Sequence, residues 1–414
     1  MRRMFRCVVG RWSSGMTVLI KLQDVTESRN MMKSPSKIYL LMMALVASFL
    51  LASCGIVGGG TTTVKIGLLS PQTGPIAVYA PGFEDAANVA VSGLNEANDD
   101  YVFELIVVDS GCDGTQAATS AQSLIDSGVV GIVGAACSGA TLGAIAVAAP
   151  AGVPMVSYAS TSPAISTADD DGYLFRVVPS DAQQSVALAD VVKSMGDSNP
   201  AVLFMTNDYG AGLGENFKAA MGSLCTEIGY DPTEGSYDAS TLAQAVVDGG
   251  CDSVVLISYA TDGAAIMEEL LSQGFSGSLY GADGLADAAL TQSFTDVAAV
   301  DGLVATKPRP GESSTAKSSF ETAYAAAGGN PEGIYTNETF DAVNLVAAAV
   351  MADSNDDLRD DLVSLGSSYD GASGVHTFDS NGDVPGTGYE ICEFSGANFS
   401  CSKIWTSSGG VSGK

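Results

Sequence analysis

From Val64 onward the chain alternates short β-branched runs with helix-length, Ala-rich amphipathic stretches, and after one such series the alternation starts again. Parallel strands need long crossovers, usually helices, so this pattern constrains the chain to an α/β fold in which helices cover parallel sheets. In the first series strands are predicted over 64–70, 101–109, 129–136 and 154–159, with helices over 82–98, 115–127 and 139–149. The second has strands over 201–206, 253–258 and 278–281, with helices over 182–194, 213–223, 242–248 and 264–272. A further strand over 302–306 precedes helical stretches at 313–327, 335–352 and 357–365, expected to clad the first lobe. The Gly-rich segment 375–405 reads as short antiparallel strands. Since 414 residues exceed what one core usually serves, the expected fold class is α/β with two doubly wound parallel-sheet lobes. Lobe 1 comprises 64–178 and 307–374, lobe 2 comprises 179–306 and 375–405, and 406–414 is a tail. Short crossings near 178–182, 303–307 and 373–378 suit a three-segment hinge.

Residues 1–54 form an N-terminal extension plus export signal. Lys33 and Lys37 precede an apolar run from Ile38 to Ala52, too short for a comfortable membrane span, which needs about 20 residues, and typical of a signal peptide. The following Leu51-Ala52-Ser53-Cys54 resembles a bacterial lipobox, whose cysteine takes a diacylglycerol thioether and becomes the mature N-terminus. Met31 or Met32 fits this signal as a start better than Met1, and Arg2-Arg3-Met4-Phe5 only faintly resembles a twin-arginine signal. Residues 55–63 read as a flexible tether. The expected location is exported, periplasmic or cell-surface, with the membrane as partner through a lipid anchor.

Charge narrows the partners. Residues 1–54 hold 8 Lys+Arg against 2 Asp+Glu, leaving 10 against 45 in residues 55–414. Such a surface repels phosphate backbones, so nucleic acid is not an expected partner. Apart from Cys7 and Cys54 there are six cysteines, and an even count in an exported chain argues for disulfides. Fifteen connectivities exist for six cysteines, but close spacing suggests Cys112–Cys137, Cys225–Cys251 and Cys392–Cys401. The first couple is expected because each member follows a strand of what reads as an adjacent parallel pair. Zinc ligation lacks both the C-x₂-C spacing and a partner histidine.

Catalytic signals are missing. His376 is the only histidine, lies in a turn-rich stretch and has no G-x-S-x-G elbow to serve. No phosphate-binding G-x-x-x-x-G-K-[ST] loop occurs, and Gly210-Ala-Gly212-Leu-Gly214 puts Glu215 where a dinucleotide fingerprint needs glycine. Asp379-Ser-Asn381-Gly-Asp383, with Glu390 beyond, partly matches a calcium loop, but Val384 holds the obligatory glycine position and a polar turn is the plainer reading. No enzyme activity, cofactor or metal is expected.

Several motifs together resemble the type I periplasmic binding proteins, in the leucine/isoleucine/valine-binding branch that serves ABC importers. They are the segment from Lys65 to Pro75, Gly111-Cys112-Asp113 with Thr115 to Ala118, Gly134 to Ser138, Met155 to Pro163, and Asn207-Asp-Tyr209-Gly210. The resemblance implies that Ser138, Ser160 and Thr161 hold a ligand carboxylate from lobe 1, with Tyr79 walling the side-chain pocket. From lobe 2, Tyr209 and Tyr259 cover the ligand and Asp283 binds its ammonium. The family often carries Glu at the place of Asp283. Each of these residues follows a predicted strand, where open α/β sheets bind ligands. The function so implied is capture of an amino acid or close analogue between two lobes and delivery to an ABC importer permease. A lipoprotein of the same fold acting by protein contact on cell-wall synthesis, or a sensory ligand-binding module, is the alternative.

Overall fold

The computed structural model describes residues 4–11, 16–23, 61–233, 235–311, 314–352 and 357–414. The export signal, Cys54 and the tether up to residue 60 lie outside them. Near the N-terminus, β1 (Met4–Arg11) and β2 (Met16–Gln23) pair as an antiparallel ribbon within a unit of their own.

In the unit from Thr61 onward, the first alternating series folds as β3 (Thr62–Ser70), α1 (Ala80–Ala97), β4 (Tyr101–Asp109), α2 (Gly114–Asp126), β5 (Gly131–Val133), α3 (Ser138–Ala148), β6 (Met155–Ser157) and β7 (Leu174–Arg176). The five strands form one parallel sheet in the order β4-β3-β5-β6-β7. Thr62 and Thr63 already pair with Tyr101 and Val102, so the expected tether ends earlier than residue 63. β7 is three residues long, too short to leave a pattern, and was not anticipated. Gly67 lets α2 sit on β3, for a Cβ there would lie 2.8 Å from Leu124 Cδ1.

The second series gives α4 (Asp181–Ser194), β8 (Ala201–Met205), α5 (Asp208–Met221), β9 (Thr226–Tyr230), α6 (Ala239–Asp248), β10 (Ser253–Ile257), α7 (Ala260–Ser272), β11 (Ser278–Gly281) and β12 (Leu303–Pro308). Their order, β9-β8-β10-β11-β12, repeats that of the first sheet. Helices α8 (Thr315–Ala326), α9 (Thr336–Ala352) and α10 (Leu358–Leu365) follow, then a small pairing of β13 (Tyr369–Asp370) with β14 (Val375–His376). These helices clad the first lobe: Tyr324 OH donates to Gly82 O at 2.9 Å, and a Cβ on Gly131 would meet Val346 at 3.0 Å. Finally β15 (Tyr389–Ser395), β16 (Asn398–Thr406) and β17 (Gly410–Gly413) extend the second sheet antiparallel from β12. The expected tail at 406–414 therefore includes the end of β16 and the edge strand β17.

The chain passes between the lobes after β7, after β12 and between β14 and β15. The crossing expected at 303–307 is instead the buried strand β12, and the chain leaves that sheet only after Pro308. All three expected disulfides are present. For the first, the adjacency argument needs correction, because β3 lies between β4 and β5 and the bridge spans the loops on either side of it.

The lookalike motifs are structural here. α5 begins at Asp208, before the predicted 213, under the N-cap Asn207, whose side chain accepts from Gly210 N at 2.9 Å, and Gly210, Gly212 and Gly214 serve close packing. A Cβ on them would come within 2.3 Å of Met205 O, 2.9 Å of Pro163 Cδ and 2.9 Å of Phe204. His376 Nε2 lies 3.0 Å from Asp341 Oδ2 and 2.9 Å from Ser373 Oγ, all buried, tying β14 to α9 through a single ring nitrogen. That arrangement is not a nucleophile relay, in which the two ring nitrogens serve different partners. Asp379 accepts the N–H groups of Asn381 and Asp383, while Asp383 pairs with Arg176.

Candidate functional site

Open α/β sheets bind ligands beyond the carboxyl ends of their strands, where the strand order reverses. In lobe 1 that point is β3, with β4 on one side and β5 on the other; the loop after β3 closes in a turn, Ala77–Tyr79, and α3 begins with Ser138 after β5. In lobe 2 it is β8. Tyr209 lies in the first turn of α5, Tyr259 is the N-cap of α7, and Asp283 follows β11.

A cavity of about 30 Å³ lies between the lobes, and Tyr79, Ser138, Tyr209, Tyr259 and Asp283 all line it. Ile76, Phe83 and Ile334 supply apolar wall, and Tyr335 completes it. Asp283 is buried, its Oδ1 accepting from Tyr209 OH at 2.7 Å and its Oδ2 from Tyr335 OH at 2.6 Å. Burial pushes its carboxyl above the ordinary range, and the two tyrosine hydroxyls pull it back. The rings of Tyr209 and Tyr259 stack at 5.1 Å with 10° between planes, forming a flat lid.

Opposite stands the start of α3, whose N-cap Cys137 offers no side-chain cap. The N–H groups of the first turn and the Ser138 hydroxyl are therefore available to an anion. Ser138 Oγ accepts from Ser162 N at 3.2 Å, which leaves its proton free to donate.

Two expected contacts are placed differently. Ser160 Oγ lies 2.7 Å from Thr141 Oγ1 and 3.1 Å from Ala135 O, while its N–H goes to Ser157 Oγ. With its single proton and its amide committed within lobe 1, Ser160 shapes the loop rather than facing the cavity. Thr161 also lies behind the cavity wall, and its buried hydroxyl has no partner.

Sequence reasoning missed Tyr335, Arg176 and Asp181. Tyr335 sits at φ +57°, uncommon for a bulky residue, and such strain clusters at functional positions. Arg176 is completely buried and holds the 160–162 loop from behind, through Ser160 O at 3.3 Å and Ser162 O at 2.9 Å. Nothing in Leu174-Phe-Arg176-Val-Val distinguishes either its burial or its partners.

The lobes meet around the cavity. Tyr79 OH donates to Gly284 O at 3.1 Å, Ser162 Oγ to Asp208 O at 2.6 Å, and Thr261 donates both its N–H and its hydroxyl to Pro75 O at 3.1 Å. Ile334 N donates to Asp287 Oδ2 at 2.7 Å. These bonds define a closed arrangement.

Comparison with known proteins agrees with this geometry. The family described as periplasmic binding protein matches residues 63–397. The leucine-, isoleucine-, valine-, threonine- and alanine-binding protein of Pseudomonas aeruginosa is 25% identical over 340 residues, covering 80% of this chain and 90% of that protein. Leu/Ile/Val-binding protein homolog 3 of Brucella melitensis is 27% identical over 353 residues, covering 82% and 94%. Among solved structures, the branched-chain amino acid transporter substrate binding protein LivJ of Streptococcus pneumoniae, in complex with isoleucine, superposes with a TM-score of 0.75 at 22% identity, over 83% of this chain and 99% of that one. Two lobes of repeated topology closed over a polar and aromatic cavity, and a family match spanning both of them, place the chain in the periplasmic binding protein family, whose members bind solutes and are not enzymes.

Proposed function

We propose that this chain captures an α-amino acid, of the apolar kind named for its relatives, and presents it to an ABC importer. The observation that carries the reading is the opposition of unlike groups across one cavity. Asp283 offers a buried carboxylate to an ammonium, and the open N-terminus of α3 with Ser138 offers donors to a carboxylate. Ile76, Phe83 and Ile334 leave an apolar wall for the side chain. A space of about 30 Å³ admits little more than water. Capture therefore requires the lobes to part and close again, and the closed form gains only from contacts made to both. A thermal-shift panel tests this reading: aliphatic L-amino acids should raise the melting temperature, and the matching carboxylic acids without an amine should not. A panel in which no amino acid stabilises the protein overturns it.

The anchor belongs to the same reading. Leu51-Ala52-Ser53-Cys54 supports a lipid-modified Cys54 at the start of the mature chain. Among the described residues no helix is long and apolar enough to cross a membrane. Cys54→Ala is expected to shift the protein from the membrane to the soluble exported fraction, and intact-mass analysis of the parent should show a diacylated N-terminus. An unmodified N-terminus elsewhere refutes the assignment.

A further inference from the structure

Asp181 opens α4 at the first passage between the lobes, and its carboxylate is fully buried with neither oxygen hydrogen-bonded. Beside it, Gln184 Oε1 and the Thr161 hydroxyl are buried without partners as well. Interiors rarely leave acceptors without donors, because each lost its bonds to water on burial. Three such acceptors, with only the Thr161 hydroxyl beside them to donate, mark a site short of a proton or a cation.

Among the described residues the surroundings supply no uncommitted cation. Asp181 is raised first by burial and next by the charge of Asp283, with only Thr161 and Arg176 pulling the other way. Arg176 already bonds Asp383 at 2.6 Å and the carbonyls of Ser160 and Ser162. The other titratable groups facing Asp181 are Tyr209, Tyr259, Tyr335 and Tyr389, each kept neutral by burial and by these carboxylates. Tyr209 and Tyr335 donate to Asp283, and Tyr389 donates to Ser180 O at 3.5 Å. Among the described residues only the Thr161 hydroxyl is left to donate to Asp181, one proton for two buried oxygens.

We propose that Asp181 and Asp283 form one buried carboxyl pair that holds a proton until a ligand's ammonium stands against Asp283, and that capture then releases this proton to solvent. The inference rests on the amino-acid reading above. Its chemistry balances simply: the ammonium enters with its three protons intact, and the carboxyl pair gives up one proton to buffer as it becomes fully ionised around the new cation. Two carboxyls in one low-dielectric site do not both ionise without such a counter-charge. Asp181 is thus a positioning residue for charge, acting through Asp283 without touching the ligand. Because proton and ammonium compete, affinity should strengthen as pH rises while the pair is still protonated, by up to about tenfold per pH unit for one proton released.

Calorimetric titration of the mature protein with L-leucine, in buffers of different ionisation enthalpy, measures the proton directly. Near neutral pH the parent is expected to release close to one proton per leucine, and Asp181→Asn close to none while still binding. A parent whose heat is independent of buffer overturns the proposal, as does an Asp181→Asn protein that releases as many protons as the parent. Failure of the parent to bind any amino acid is a different result, and it removes the amino-acid reading first. Should Asp181→Asn not fold, the infrared difference spectrum of the parent decides: leucine should abolish a protonated-carboxyl stretch, and a spectrum without that change refutes the pair.

Discussion

Asp283→Ala is expected to weaken amino-acid binding by tens to thousands of times, and Thr161→Ala, at a residue behind the cavity wall, by only about twofold. Among the described residues Asp283 is the only carboxylate lining the cavity, and its two oxygens are fixed by Tyr209 and Tyr335. Removing one partner of a buried charge pair costs about 2–5 kcal/mol, against roughly −8 kcal/mol for a micromolar complex. The variant also strands two buried tyrosine hydroxyls, so some of the loss comes from a loosened lid. Asp283→Asn separates the effects, because it keeps the volume and an acceptor but removes the charge. Thr161 does not line the cavity and its hydroxyl turns to Asp181, so its loss removes no contact to the ligand. Calorimetry on the three variants decides. An Asp283→Ala protein that binds like the parent rules out an ammonium at this place.

What the sequence disclosed follows from how each signal arises. Alternation of β-branched and Ala-rich runs is a property of buried strands and half-buried helices, so both lobes and most element boundaries were legible. Two short elements were not: Leu174–Arg176 and Gly410–Gly413 hold too few residues to carry a period, whereas the equally short Gly131–Val133 and Met155–Ser157 lie inside longer apolar runs. Glycine was misleading at α5, where it marks close packing against Met205 and Phe204 yet looks like a loop. Five of the seven expected binding residues line the cavity, since each follows a strand at a sheet's reversal point. Ser160 was overestimated because a hydroxyl's partner is set by backbone carbonyls that only the fold brings near. Tyr335 and Asp181 were missed for a related reason, since each acts from a distant stretch of chain and neither carries a local motif.

Arg176→Met should destabilise the fold by about 3–5 kcal/mol, the range for removing one member of a buried ion pair. That is a large share of the roughly 5–15 kcal/mol that holds most domains folded. Arg176 is fully buried and Asp383 nearly so, with side-chain exposures of 0% and 16%. The guanidinium meets Asp383 through Nε, Ser166 Oγ through one terminal nitrogen at 2.8 Å, and the Ser160 and Ser162 carbonyls through the other. Methionine can fill much of the volume but donates to none of them, so one oxygen of Asp383 and two carbonyls lose their donor at once, leaving the Asp383 carboxylate with the Ser166 hydroxyl. Arg176→Lys should recover part of the loss, because an ammonium restores the charge but cannot reproduce the planar fork. Urea unfolding of both variants measures the stability. The same experiment bears on the site: the 160–162 loop supplies Ser162, whose N–H reaches Ser138 and whose hydroxyl reaches across to Asp208. A loosened loop should therefore weaken ligand binding in the fraction that stays folded. If Arg176→Met unfolds at the parent's urea midpoint, the buried pair contributes nothing net, and the loop must be held by the remaining bonds of Ser157, Ser160 and Ser162.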